Sequence, residues 1–167
     1  MTDTGPRPNL PATVPVRHSA TAVGGRLILT HYPITEYAMG AGLAIPLPDT
    51  LQDIAETIGR EAAVRLSEGL LRQRTGSRSW RRQVYIPQNL KDDHPTVLIL
   101  GRALAEELQG THVNCILEIP RCADIQAAYR EHVARCMLEA GETPDEVVES
   151  GVCARSLAQR LGEERKA

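Results

Sequence analysis

A short pattern occurs twice in this chain of 167 residues and limits what the chain can fold into. Ile58-Gly59-Arg60 in the first copy matches Leu100-Gly101-Arg102 in the second, and apolar residues follow both at helical spacing. Each helical segment precedes a short strand that ends at a proline, Val84–Pro87 and Leu117–Pro120. Because a lone strand leaves main-chain groups unpaired at its edges, we expect these strands to pair with each other or with a second chain. Chance similarity over so few positions is the alternative.

The composition is that of a globular protein with few aromatic side chains. Hydrophobic residues make up 42% and charged residues 24%, whereas aromatic residues make up 3% and Phe is absent. The core must therefore consist mainly of Leu, Ile, Val and Ala. The longest apolar run, Val97–Leu100, is too short to cross a bilayer, and the proline-rich start lacks the apolar segment of a signal peptide. We expect a cytoplasmic, mainly helical protein with short strands.

Apolar positions that recur with the helical period predict six helices. Asp49 is the expected N-cap of the first, Pro95 opens the third, and Thr143 with Glu146 forms a capping box before the fifth. The predicted spans are 49–58, 60–71, 95–110, 125–140, 144–150 and 153–161. Between them we expect a flexible arm over 1–20, a strand over 26–32, an irregular connector over 38–48 and a loop over 72–82.

The net charge of −2 gives no general attraction to nucleic acid or to anionic membranes. A local basic cluster is the exception, because residues 70–91 contain six basic and no acidic residues: Arg72, Arg74, Arg78, Arg81, Arg82 and Lys91. Together with Trp80, these arginines predict a segment that contacts phosphates or stacks on a base. A solvated loop in which Trp80 covers an apolar patch is an equal alternative.

Four cysteines could suggest a metal site or disulfide bonds, but their spacing favours neither. Cys115, Cys122, Cys136 and Cys153 match no common zinc pattern, even with His112 and His132 nearby. We expect buried thiols in a reducing compartment. The sequence has no phosphate-binding loop and no dinucleotide-binding glycine motif, and His94 lacks a nucleophile. We therefore predict no catalytic activity, no cofactor and no metal.

Residues 121–167 have the outline of a helix-turn-helix. A long helix ends at Gly141, a short capped helix follows, Gly151 makes a turn, and a final helix exposes polar side chains. In a major groove Arg reads guanine, Gln reads adenine, and Ser bonds base edges or phosphate. The exposed side chains of the final helix are Arg155, Ser156, Gln159 and Arg160. The alternative is a plain helical hairpin.

The stretch from Pro48 to Leu161 resembles the Mor (middle operon regulator) transcription activators of Mu-like phages and their relatives in bacterial genomes. The resemblance rests on Leu51–Leu66, Gln83-Val-Tyr-Ile-Pro87, Asp93-His-Pro95 and Ile119-Pro-Arg121, with the helix-turn-helix following at the expected distance. It implies a dimerisation domain of helices and short strands over 48–120, after an arm and extension over 1–47, and a helix-turn-helix domain over 121–167.

The same resemblance implies a homodimeric, sequence-specific regulator of the activator type. Such proteins bind double-stranded DNA at a dyad-symmetric site and contact RNA polymerase. The resemblance also implies that the strand containing Gln83 and Tyr85 approaches the DNA. Added to the residues above, it gives a DNA-binding set of Arg155, Ser156, Gln159, Arg160, Arg72, Arg74, Arg78, Arg81, Arg82, Gln83 and Tyr85.

An interaction module for another protein is the competing hypothesis. The segment from Arg121 to Ala167 has seven basic and nine acidic residues, and only Arg165-Lys166 remains of the basic tail usual in the family. Val147 or Val148 also stands where a small Ala is usual. In this interpretation a degenerate helix-turn-helix binds a protein partner rather than DNA.

Overall fold

The structure is a computed structural model that describes residues 20–23, 26–29, 32–70, 73–75 and 79–167, with side chains for 32–70 and 82–167. Residues 1–19, most of the expected flexible arm, lie outside the described residues. The helices are α1 (Pro33–Met39), α2 (Asp49–Ile58), α3 (Arg60–Gly69), α4 (Pro95–Leu100), α5 (Arg102–His112), α6 (Ala123–Glu139), α7 (Pro144–Glu149) and α8 (Arg155–Lys166). The strands are β1 (Ala20–Val23), β2 (Arg26–Leu29), β3 (Gln73–Thr75), β4 (Ser79–Arg81), β5 (Gln83–Tyr85) and β6 (Ile116–Glu118).

The described part of the chain is mainly helical, as predicted, with short strands in two-stranded antiparallel sheets. The sheets pair β1 with β2, β3 with β4 and β5 with β6. The chain divides between Ile125 and Gln126 into two compact units. We call the described residues up to Ile125 the N-terminal unit and Gln126–Ala167 the C-terminal unit. None of the described helices combines the length and the apolar character needed to cross a membrane.

The repeat in the sequence is also a structural repeat within the N-terminal unit. The first copy consists of α2, α3 and β5, and the second copy of α4, α5 and β6. In both copies a glycine with nearly the same backbone angles separates the two helices. Gly59 has φ 87° and ψ 157°, and Gly101 has φ 85° and ψ 162°. Glycine alone adopts this region readily, so each glycine sets the same change of direction in the chain.

The two strands of the repeat pair with each other. Val84 of β5 lies opposite Leu117 of β6, and these two residues occupy the same position in the two copies. One of the two pairings that the sequence allowed, within a single chain, is therefore confirmed. The inner edges of both strands are satisfied without a second chain.

Hydrogen bonds at the ends of this sheet show a local two-fold relation between the copies. Ile86 donates its main-chain N–H to the carbonyl of Cys115, and Ile119 donates its N–H to the carbonyl of Arg82, both at 2.9 Å. Ile119 and Cys115 stand 33 residues after Ile86 and Arg82, so each bond is the image of the other. The helices follow the same relation, because α2 packs against α5 and α3 against α4.

An arginine follows the hinge glycine in each copy and binds the chain segment that leads into that copy. Arg60 donates to three main-chain carbonyls, those of Ala38 at 3.4 Å, Gly42 at 3.2 Å and Ile45 at 2.7 Å. Arg102 donates to the carbonyl of Leu90 at 3.0 Å and forms ion pairs with Asp92 and, at 3.8 Å, with Glu106. The two arginines thus have a similar role with different kinds of partner, since Arg60 binds three carbonyls and Arg102 binds one carbonyl and two carboxylates.

A buried carboxylate fixes α1 against the first copy. Glu68 of α3 accepts hydrogen bonds from the main-chain N–H groups of Ile34 and Thr35 at 3.2 and 3.0 Å, and from the Thr35 hydroxyl at 3.0 Å. These donors lie in the first turn of α1, where helical N–H groups have no partner within the helix. Glu68 therefore supplies the N-terminal cap that α1 lacks locally.

Three predictions about helices of the N-terminal unit are wrong. The segment over 38–48 is not a connector throughout, because α1 extends to Met39; its cap is Glu68, which no local pattern reveals. The helix predicted over 95–110 is two helices, since Gly101 with its positive φ cannot continue a helix. Asp49 is the first helical residue and not the N-cap, which is Pro48.

The segment over 72–82 is not a loop throughout, because β3 and β4 form an antiparallel hairpin there. Strands of three residues are too short to show a two-residue period in the sequence, and main-chain hydrogen bonds form whatever the side chains are. Ser79 pairs with Thr75 and Arg81 with Gln73.

Candidate nucleic-acid interface

The C-terminal unit is built from α7, α8 and most of α6 around a small aliphatic core. The residues of this core are Val133, Ala134, Met137, Leu138, Val147, Val152, Ala158 and Leu161. Val147 is fully buried, so this valine, one of the two candidates for the position where Ala was expected, is a core residue. A larger side chain fills space between helices that Ala would leave empty.

A capping box sets the start of α7, as predicted. The Glu146 main-chain N–H donates to the Thr143 hydroxyl oxygen at 3.3 Å, and the Thr143 N–H donates to the Glu146 carboxylate at 2.7 Å. The Thr143 hydroxyl also donates to the Glu146 carboxylate at 2.9 Å, and the two hydrogen bonds donated by Thr143 lower the pKa of Glu146, because they favour its ionised form. The short helix α7 thus has a defined origin despite its length of six residues.

The connection from α7 to α8 is fixed by one glycine and one serine. Gly151 has φ 75°, a left-handed conformation that prevents α7 from continuing. The Ser150 hydroxyl donates to the carbonyl of Val147 at 2.6 Å. Val152 then enters the core at 3% exposure, and α8 starts at Arg155. The final helix begins two residues later than predicted and continues to Lys166.

The outer face of α8 contains, in its first one and a half turns, the four side chains that the sequence indicated. Arg155, Ser156, Gln159 and Arg160 are all exposed. On the opposite side, Ala158 and Leu161 are buried in the core. The structure therefore brings the four polar side chains together on one helix surface of about one and a half turns.

Both arginines of this face lie near carboxylates of the same unit. The Arg155 NH1 group donates to Asp145 Oδ1 at 2.6 Å. Arg160 lies 4.0 Å from a carboxylate oxygen of Glu131 and 4.0 Å from one of Glu164. Arg135 forms closer ion pairs with the same two glutamates, at 2.9 and 3.1 Å. Arg155 is thus held by one short contact, whereas Arg160 is held loosely.

Sequence reasoning did not identify Asp145 as a partner of this face. Asp145 and Arg155 are ten residues apart, and only the turn at Gly151 brings them together. The pairs Glu131 with Arg135 and Arg160 with Glu164, in contrast, have the four-residue spacing of helical ion pairs and could have been found.

The structure describes the side chain of one of the five arginines in the predicted cluster. Arg72 and Arg78 lie outside the described residues, and Arg74 and Arg81 lie in β3 and β4, for which the backbone alone is described. Arg82 is described, and its NH1 group donates to the carbonyl of Ser67 at 2.9 Å. This half-buried guanidinium supports the fold of the N-terminal unit.

The strand residues Gln83 and Tyr85 lie on the outer face of the β5–β6 sheet. Gln83 donates to a Glu118 carboxylate oxygen at 3.0 Å, and the Tyr85 hydroxyl donates to the Asn114 side-chain oxygen at 3.2 Å. Tyr85 is 50% exposed and faces Ile116, which is 65% exposed. This face is therefore apolar at its centre and polar at its ends.

The cysteines occupy different environments. Cys122 is buried as predicted, Cys136 and Cys153 are half-buried, and Cys115 is exposed at the start of β6, which corrects the prediction for that residue. Burial raises the pKa of the Cys122, Cys136 and Cys153 thiols. Within the described ranges, no three His, Cys, Asp or Glu side chains are grouped in a way that could hold a metal ion.

Comparison with known proteins gives no relative: no protein-family model, no curated protein and no solved structure matches this chain.

Proposed function

We propose that the chain is a sequence-specific regulator of transcription that binds double-stranded DNA through a helix-turn-helix formed by α7 and α8. The observation that carries this proposal is the outer face of α8, where Arg155, Ser156, Gln159 and Arg160 are exposed together while Ala158 and Leu161 pack inward. Arg, Gln and Ser are the side chains that read base edges in a major groove.

The wider proposal follows the resemblance to the Mor activators. In it the protein acts as a homodimer on a dyad-symmetric site, activates transcription together with RNA polymerase, and belongs to a phage or mobile element. Arg72, Arg74, Arg78 and Arg81 would add sequence-independent phosphate contacts, and Gln83 and Tyr85 would approach the duplex. We leave Arg82 out of this set because its guanidinium binds Ser67.

The test is a selection of DNA sites from a random pool, followed by competition titrations with the selected site and a scrambled one. Arg155→Ala should lower affinity for the selected site much more than for the scrambled site, because a bidentate Arg–guanine contact contributes roughly 1–3 kcal/mol of discrimination. Arg155→Lys is the matched control for charge. It should retain affinity for scrambled DNA and lose discrimination, since Lys cannot form the planar two-point contact.

Dimer formation needs a separate test, because β5 and β6 pair with each other within one chain and do not require a second chain. Light scattering at micromolar concentration should give the mass of a dimer. A monomeric mass would remove the dyad from the proposal and leave a single, non-palindromic half-site as the expected target.

Binding to a protein is the second candidate, and the charge of the C-terminal unit favours it. Gln126–Ala167 contains six basic and eight acidic residues, and Arg135, Arg155 and Arg160 all have carboxylates nearby. Such a surface attracts phosphates weakly. Failure to select any DNA site, combined with capture of a purified RNA polymerase, would replace the first candidate by this one.

A further inference from the structure

The ion pair between Asp145 and Arg155 lies at the start of α8, the proposed recognition helix. Arg155 is the first residue of α8, and the first residues of a recognition helix are those that reach base edges. Asp145 lies in the first turn of α7, whose position the Thr143 capping box fixes. The Asp145 carboxylate therefore has a defined position beside Arg155, and Arg155 is the arginine of α8 best placed to read a nucleobase.

The contact uses one end of the guanidinium. The Arg155 NH1 group donates to Asp145 Oδ1 at 2.6 Å, and this is the one protein partner of the guanidinium among the described residues. Arginine has five N–H donors in a fixed plane, so the Nε and NH2 edge keeps its donors for a ligand. The Arg155 side chain remains 62% exposed, which leaves that edge accessible.

We infer that Asp145 is a positioning residue that orients Arg155 for a base with two adjacent acceptors, which in the major groove is guanine with O6 and N7. This inference rests on the proposed DNA-binding function. A long, flexible side chain loses rotamer entropy when it binds, and a side chain that is already oriented loses less. The same carboxylate repels phosphates, which disfavours use of Arg155 on random DNA.

Arg160 provides an internal contrast. Its carboxylate neighbours, Glu131 and Glu164, are both 4.0 Å away, beyond hydrogen-bond distance. Arg160 therefore lacks an oriented guanidinium, and we expect it to contribute phosphate attraction and little base discrimination. The two arginines of one helix face thus have different roles for a reason that is visible in their contacts.

The test uses variants that separate the charge of Asp145 from its hydrogen bond. Asp145→Ala removes both, Asp145→Asn removes the charge and keeps an acceptor, and Glu149→Ala removes an equal charge from the same helix at an exposed residue without a side-chain contact among the described residues. Each variant is titrated against the selected site, the same site with its Arg155-dependent guanine replaced, and scrambled DNA, with thermal unfolding as a check on folding.

Asp145→Ala should lower discrimination for that guanine by about 1.5- to fivefold, the range of an exposed ion pair, and raise affinity for scrambled DNA. Asp145→Asn should raise affinity for scrambled DNA equally but keep most of the discrimination. Glu149→Ala should raise both affinities and leave their ratio unchanged. In an Arg155→Ala background, Asp145→Ala should have no further effect on the ratio, which makes the result independent of any change in folding stability.

Unchanged discrimination in Asp145→Ala, or an equal loss in Glu149→Ala, would overturn the positioning role while leaving DNA binding established. Absence of any selectable site for the wild-type protein would overturn the DNA-binding function, and this inference with it.

Discussion

The two copies of the repeat have the same backbone plan but different surroundings. Both have a hinge glycine, an arginine that binds carbonyls of the preceding segment, and a strand that pairs with its counterpart. The first copy, however, is covered by α1, with Arg60 on three carbonyls and Glu68 on the first turn of that helix. In the second copy Arg102 has one carbonyl and the carboxylates of Asp92 and Glu106, and Gly110 stands where the first copy has Glu68. The first copy thus has more hydrogen bonds to the main chain of the segment that precedes it.

The largest expected difference in unfolding free energy is between the variants Arg60→Ala and Arg102→Ala. Arg60→Ala leaves three carbonyls without their donor and should lower the free energy of unfolding by about 3 kcal/mol, whereas Arg102→Ala should cost about 1 kcal/mol. Urea unfolding monitored by circular dichroism measures both. Equal losses would show that the extra carbonyl partners of Arg60 contribute no stability.

The hinge glycines should instead behave alike. Gly59→Ala and Gly101→Ala each place a side chain in a backbone conformation that costs about 2 kcal/mol, and a Cβ would meet no atom within 4 Å at either position. The two losses of unfolding free energy should therefore agree within about 0.5 kcal/mol. A clear difference between them would mean that the copies differ in backbone flexibility as well as in surroundings.

Glycines near the ends of α3 and α5 should give effects of opposite sign. A Cβ at Gly69 would lie 2.9 Å from the buried Ile99 side chain, so Gly69→Ala should cost about 1–2 kcal/mol. Gly110 lies within α5 with open space around it, so Gly110→Ala should stabilise the protein by about 0.5–1 kcal/mol. The same urea titration shows whether each variant is more or less stable than the wild type. Destabilisation by Gly110→Ala would contradict the expected open environment.

The smallest effect is a dependence on pH, and it belongs to the C-terminal unit. Hydrogen bonds from Thr143 lower the pKa of Glu146 in the folded state, so the capping box contributes its stability above the unfolded pKa and loses it as the pH falls through the folded value. The difference in Tm between wild type and Glu146→Gln should therefore shrink in acid. Melting curves of the two proteins at about pH 7 and about pH 3 measure this difference.

The sequence predicts those elements whose signals are local. The helices α2, α3, α6 and α7 follow from apolar periodicity and, for α7, from the Thr143 capping box. The repeated Gly-Arg pattern and the two strands ending at prolines likewise predict that β5 and β6 pair with each other or with a second chain, and the first of these pairings is the one observed. On α8 the period of 3.6 residues separates the buried Ala158 from the exposed Gln159.

The elements that sequence reasoning missed depend on contacts between distant residues. The cap of α1 comes from Glu68, more than thirty residues after Ile34. The break at Gly101 depends on a backbone angle that the surrounding apolar residues do not indicate. Asp145 reaches Arg155 only because Gly151 reverses the chain. Each of these requires a three-dimensional arrangement that no window of neighbouring residues contains.

The pairing of β5 with β6 also has a consequence for synthesis of the chain. The residue opposite Val84 is Leu117, which leaves the ribosome 33 residues later, a delay of roughly two to seven seconds at ordinary elongation rates. During that interval Val84 and Ile86, both buried in the finished protein, have no partner from the second copy. Exposed apolar side chains and an unpaired strand edge favour aggregation, so we expect the first copy to be most vulnerable before β6 is synthesised. A ribosome that pauses between the two strands should therefore lower the yield of native protein without any change in its amino-acid sequence.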